Sequence, residues 1–122
     1  MAKTVLTVDD SASMRQLVKL TLGGAGYTVV EATDGADGLD RARSAAVDLV
    51  VTDLNMPRMD GISLIKELRK LPSYKGVPIL LLTTESDDDR KKEARAAGAT
   101  GWITKPFNQD QLLGVVRKVL GS

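Results

Sequence analysis

Two alternating patterns of apolar residues run along the chain. Short runs, mostly β-branched or leucine, occur at Val5-Val8, Thr28-Ala32, Leu49-Thr52, Ile79-Thr83 and Trp102-Thr104. Runs of this length and composition predict strands buried on both faces. Between them the apolar positions recur at helical spacing. Met14, Leu17, Val18 and Leu22 share one face, as do Ile62, Ile65 and Leu68, and later Leu112, Leu113, Val116, Val119 and Leu120. Two segments, from Ala36 to Ala46 and from Asp87 to Ala97, place alanines on the inner face and predict helices with little bulk to bury. Punctuation agrees with this division. Gly23-Gly24 and Gly98 follow helices, Asn108 precedes the last one, and Ser86 stands ahead of an acidic first turn, Asp87-Asp88-Asp89, with Arg90-Lys91-Lys92 behind it.

Strict alternation of strand and helix implies right-handed crossovers, hence a five-stranded parallel sheet with helices on both faces: an α/β doubly wound (βα)5 fold. Ligands of such folds gather outside the carboxyl ends of the strands, where the strand order reverses. At 122 residues the chain is expected to form one domain, 1–122, with no internal linker.

Composition narrows the chemistry. With 43% hydrophobic and 27% charged residues the chain reads as a water-soluble globular domain, and its longest apolar runs, such as Ile79 to Leu82, are far too short to span a membrane. Met1-Ala2-Lys3-Thr4 leads directly into the first strand, which leaves no room for a secretory signal, so a cytoplasmic protein is expected. The absence of cysteine fits that compartment and excludes disulfides and thiolate metal sites. The absence of histidine excludes imidazole ligands, bases and triads, leaving oxygen ligands for any metal. A net charge of +1 argues against a nucleic-acid-binding face.

At the carboxyl ends of the predicted strands stand Asp9 and Asp10, then Asp53, Thr83 and Lys105. Each alone has an ordinary use as a cap, a turn residue or a solvated lysine. Together they imply something else. Three carboxylates converging on one crevice repel one another unless a cation neutralises them, and an all-oxygen set suits Mg²⁺. Phosphoryl transfer requires an in-line nucleophile, a cation and donors for the developing charge. A carboxylate supplies the first by forming an acyl phosphate, while Lys105 and the Thr83 hydroxyl supply donors.

The ordered set Val8-Asp9-Asp10-Ser11, then Asp53-Leu54-Asn55-Met56-Pro57-Arg58-Met59-Asp60-Gly61, then Leu82-Thr83-Thr84 and Lys105-Pro106-Phe107 resembles the receiver domains of two-component response regulators over the whole chain. Within that family it is most similar to the stand-alone chemotaxis regulators of the CheY type. The resemblance implies the flavodoxin-like strand order 2-1-3-4-5. It implies Asp53 as phosphoacceptor, Asp9, Asp10, Asp53 and the Asn55 backbone carbonyl as the Mg²⁺ site, and Thr83 and Lys105 as readers of the phosphoryl group. It further implies a switch formed by Thr83, Trp102 and Pro106, with a cis bond at Lys105-Pro106 that aims the lysine into the crevice. The family usually carries Tyr or Phe where Trp102 stands; a Trp that merely covers the sheet edge is the alternative.

As partners the resemblance implies a histidine kinase as phosphodonor, a flagellar motor-switch protein as target and a phosphatase, with the chain acting as a monomer. Such a protein is not an enzyme; it promotes only its own phosphorylation and dephosphorylation. Since only Gly121-Ser122 follow the last helix, output is expected through protein contact, with the charged Asp87 to Lys92 run beside the output surface. Met14-Arg15, Asn55 and Glu85 add to the likeness to the chemotaxis branch. A phosphorelay carrier shares the same motifs. An aspartate-nucleophile phosphatase of the haloacid dehalogenase type is disfavoured because its general acid, two residues after the nucleophile, is here Asn55. An FMN carrier is set aside because Asp9-Asp10-Ser11-Ala12-Ser13 lacks glycine and repels phosphate. Gly23-Gly24-Ala25-Gly26 reads as a helix stop and Asp34-Gly35 as a turn.

Overall fold

A computed structural model describes residues 2–84 and 88–121. Among these, strands β1 (Thr4–Val8), β2 (Thr28–Ala32), β3 (Leu49–Asp53), β4 (Ile79–Thr83) and β5 (Gly101–Thr104) alternate with helices α1 (Ala12–Gly24), α2 (Gly35–Ser44), α3 (Gly61–Lys70), α4 (Asp88–Ala97) and α5 (Gln109–Leu120). The expected Ser86 cap, a helix start at Asp87, and Glu85 beside the site lie outside the described residues. All strand pairs are parallel and the order is β2-β1-β3-β4-β5, leaving β2 and β5 as the edges. This is the flavodoxin-like order that the resemblance implied.

The period of two along each strand divides the core. Leu6, Val8, Val50, Ile79 and Leu81 face α2, α3 and α4, whereas Val5, Leu49, Val51, Leu80, Leu82 and Ile103 face α1 and α5. Polar side chains set the helix starts. Ser11, Asp34, Asp60 and Asn108 each accept a hydrogen bond from the amide three residues on, satisfying donors that the first turn leaves free. Asn108 does so in a reciprocal box with Gln111.

Several boundaries differ from expectation for identifiable reasons. Gly23-Gly24 form the end of α1 rather than following it, and the chain turns at Ala25 and at Gly26, whose φ is 99°. Asp34-Gly35 is not a free turn, because Asp34 caps α2 and Gly35 begins it. α2 ends at Ser44 instead of Ala46 so that Val47 can turn inward, where it is buried. A 3₁₀ turn at Pro72–Tyr74, absent from the sequence reading, seats the Tyr74 hydroxyl as donor to the carbonyls of Ala42 and Ala45 at 2.7 and 2.8 Å.

Candidate functional site

Strand order places β1 next to β3, the point at which successive connections diverge to opposite sides of the sheet, and this brings the acidic residues together. Asp9 leaves β1, and Asp53 is the last residue of β3 rather than the first beyond it. Carboxylate oxygens of Asp9, Asp10 and Asp53 lie within 4.8 Å of one another. Asp9 is 1% exposed and Asp53 8%, while Asp10 faces solvent. From the far side, the Lys105 ammonium donates to Asp53 Oδ1 at 2.8 Å and lies 3.8 Å from Asp9 Oδ2. Its own amide donates to the Thr83 carbonyl at 2.8 Å, which fixes the lysine to the end of β4. The bond Lys105–Pro106 is cis. Thr83 is buried at the crevice end of β4, and exposed Asn55 stands two residues after Asp53, in the loop that leads to α3.

The backbone around Asp53 has little room to shift. Leu54 donates its N–H to the Leu82 carbonyl at 3.0 Å, and its carbonyl accepts from Gly61 at 2.7 Å. A side chain at Gly61 would run into the Asp53 carbonyl and come within 2.9 Å of Leu81, so α3 can begin against Asp53 only with glycine there.

Asp9 carries the clearest electrostatic signature. Its Oδ1 accepts from the Ser11 amide at 2.9 Å, but its Oδ2 is fully buried without a hydrogen-bond partner. Burial, above all, pushes this carboxyl above its ordinary value; Asp53 and Asp10 add to the effect, while the Ser11 amide and Lys105 oppose it. A group raised in this way contributes stability below its unfolded pKa of about 3.9 and loses it as pH rises through the folded value. Ionisation of Asp9 therefore weighs against the fold, and a cation beside it would relieve that cost. An orphaned carboxylate oxygen beside two further carboxylates fits a hard, oxygen-seeking divalent ion such as Mg²⁺.

Trp102 lies half-buried on edge strand β5 against the α2–α4 side of the core. Lys91 Nζ and the Arg95 guanidinium of α4 stand 5.4 and 5.1 Å from its ring centre. Between Trp102 and Thr83 runs a narrow cleft, lined also by Leu54, Leu81, Arg90 and Lys91, with no room for a water molecule. On its other side, Trp102 borders a groove of about 420 Å³ between β5 and α5, reaching Phe107 and Lys118.

Three arginines make contacts that sequence reasoning did not foresee, Arg15 and Arg58 near the site and Arg69 at the opposite end of the sheet. Arg15 donates to the Asp9 carbonyl at 2.6 Å. Arg58 has a φ of 68° and pairs with Asp34. Arg69 donates to the carbonyls of Tyr74, Val77 and Gly98 at 2.6, 2.7 and 2.7 Å. No spacing rule announces an arginine bonded to distant carbonyls; only the positive φ had a signal, in the Pro57-Arg58 turn that precedes α3.

Residues 5–117 match the model of the response regulator receiver domain. The chain is 38% identical over 116 residues to the chemotaxis protein CheY of Pseudomonas aeruginosa, covering 94% of each. The structure of the chemotaxis protein CheY4 of Vibrio cholerae superposes with a TM-score of 0.96 at 47% identity, covering 98% of this chain and all of that one. The receiver domain of a Pseudomonas aeruginosa sensor histidine kinase, solved with a magnesium ion coordinated in its active-site cleft, is 25% identical with a TM-score of 0.91, each chain fully covered.

Proposed function

The chain belongs to the response regulator receiver family, a family of phosphorylation-dependent signalling modules, and on that premise we propose that Asp53 is its phosphoacceptor. The observation that carries this reading is the Asp53 carboxylate held at 2.8 Å by the Lys105 ammonium inside a three-carboxylate cluster. One Asp53 oxygen attacks the phosphorus of a phosphohistidine on a histidine kinase; the P–N bond breaks, the O–P bond forms, and the donor imidazole leaves. Lys105 then meets the charge of the new phosphoryl group. The Thr83 hydroxyl, at the same strand end, is assigned another of its oxygens.

Asp9, Asp10, Asp53 and the Asn55 backbone carbonyl would hold Mg²⁺. The ion supplies charge neutralisation among the carboxylates and the incoming phosphoryl oxygens. In this reading the chain promotes only its own phosphorylation and dephosphorylation, acts as one receiver unit over 1–122 in the cytoplasm, and works as a monomer.

Output is assigned to the surface from α4 to α5. The groove between β5 and α5, with Trp102 at its rim, supports a protein target, and likeness to CheY proteins favours a flagellar motor-switch protein. A phosphatase acting on the phosphorylated form belongs to the same reading, and a phosphorelay carrier is the second one. Pro106 and Trp102 complete the proposed switch with Thr83. The cleft between Thr83 and Trp102 is too narrow for a water molecule, so the indole reports the change chiefly through its contacts with Lys91 and Arg95.

Incubation with a small acyl phosphate and Mg²⁺ tests the core assignment: intact mass should rise by one phosphoryl group in the wild type and not in Asp53→Asn, with a change in Trp102 fluorescence. Equal labelling of both proteins overturns it. Binding of the phosphorylated form to a motor-switch peptide, against transfer of its phosphate to a histidine phosphotransfer protein, separates the two outputs.

A further inference from the structure

The loop from β3 to α3 has an attachment that phosphoryl chemistry does not use. Residues 55–60 are closed at the base by the Gly61–Leu54 hydrogen bond. At mid-loop the Met59 N–H donates back to the Pro57 carbonyl at 2.8 Å, a three-residue turn whose central residue, Arg58, has a φ of 68°. That is the rarer sign of γ-turn, disfavoured for any residue with a Cβ. Contacts outside the turn must hold it.

Those contacts come from the start of α2. The Arg58 guanidinium donates to Asp34 Oδ2 through Nη2 and, at 3.2 Å, through Nε. Asp34 is itself immobilised: it is buried, and its Oδ1 caps α2 by accepting from the Asp37 amide at 2.8 Å. Next to it, Gly35 lies so close to the loop that a Cβ would strike the Met59 carbonyl. The loop is therefore seated on α2 by charge at Arg58 and by contact at Met59, three and four residues after Asn55.

We propose that the Asp34–Arg58 pair positions the metal site, fixing the 55–60 loop, and with it the Asn55 carbonyl, before the cation binds. This inference rests on the assignment of Mg²⁺ to Asp9, Asp10, Asp53 and Asn55 above. Arg58 is mostly exposed, 67% at the side chain, so the pair adds little to global stability. Its effect falls on the local geometry that Mg²⁺ meets. Partners that orient metal ligands commonly govern affinity by tenfold or more.

Charge and position predict opposite signs, which makes the test decisive. Arg58→Asn removes a nearby cation, tolerates positive φ and cannot span to Asp34. Asp34→Asn removes a nearby anion and still caps α2. Acting through charge alone, Arg58→Asn would tighten Mg²⁺ binding and Asp34→Asn would weaken it. Positioning requires both to weaken it, by on the order of tenfold, and requires the double variant to be no worse than either single.

The measurement is calorimetric titration of the unphosphorylated full chain with Mg²⁺, alongside its thermal midpoint without Mg²⁺, which should move little. Opposite shifts in the two singles, no shift in either, or additive losses overturn the proposal while leaving the metal assignment intact. A wild type that takes up no Mg²⁺, or an Asp9→Asn variant that binds it unchanged, overturns the metal assignment and this proposal with it.

Discussion

Helices α3 and α4 are both ten residues long, lie side by side on one face of the sheet and border the same crevice, yet they are attached by different means. α3 buries Gly61, Ile62, Leu64, Ile65 and Leu68; among the described residues of α4, Ala94 alone is buried. Each large apolar side chain of α3 contributes about 1.5–3 kcal/mol on burial, against roughly 0.8 kcal/mol for a methyl-sized group. α4 is held instead by polar contacts: Arg90 to Asp60 at 3.9 Å, Lys91 and Arg95 over Trp102, and the Arg69 guanidinium on the Gly98 carbonyl just past its end. The ion pair and the cation–ring contacts are worth about 0–1 kcal/mol each. A change at the crevice would move α4 at far lower cost than α3, which begins against the Asp53 backbone and would drag that residue with it.

The sharpest challenge to this contrast is Leu64→Ala, which should cost about 2–5 kcal/mol in a denaturant titration. A loss under 1 kcal/mol would mean that α3 is no better anchored than its neighbour. Arg69→Met should come next. It leaves the Tyr74, Val77 and Gly98 carbonyls without their charged donor, at about 1–3 kcal/mol, and should speed amide exchange in α4 more than in α3; equal acceleration would show that the arginine braces both. Smallest is the paired change Lys91→Gln with Arg95→Gln, expected to alter stability by about 0.5–1 kcal/mol while shifting Trp102 emission. A larger loss would make the cations, rather than Ala94, the main anchor of α4.

Much of the architecture was legible because strands buried on both faces must be nearly all apolar. Val5-Val8 and Ile79-Thr83 could hardly read otherwise. The one-residue extensions to Thr4, Asp53 and Gly101 were not legible, since they depend on ladder partners Thr28, Leu82 and Leu80 supplied by neighbouring strands. The carboxylate cluster followed from strand-end positions once the topology was set. The hidden parts are those in which a residue has two local uses and a distant contact chooses between them. Asp34-Gly35 serves equally as turn or helix start until Arg58 and Met59 pack on it, and α4's weak apolar pattern foretold its thin burial but not the cations stacked on Trp102.

Edge strand β2 brings a different obligation. Its sequence, Thr28-Val29-Val30-Glu31-Ala32, is strongly strand-forming and its outer side offers unpaired backbone groups. Glu31 is the charge that interrupts it, balanced by Arg15 at 3.6 Å and Lys19 at 3.4 Å. A charged, salt-bridged side chain in mid-strand makes it a poorer template for a second sheet. The residue that ties the sheet to α1 thus also places a charge along the open edge.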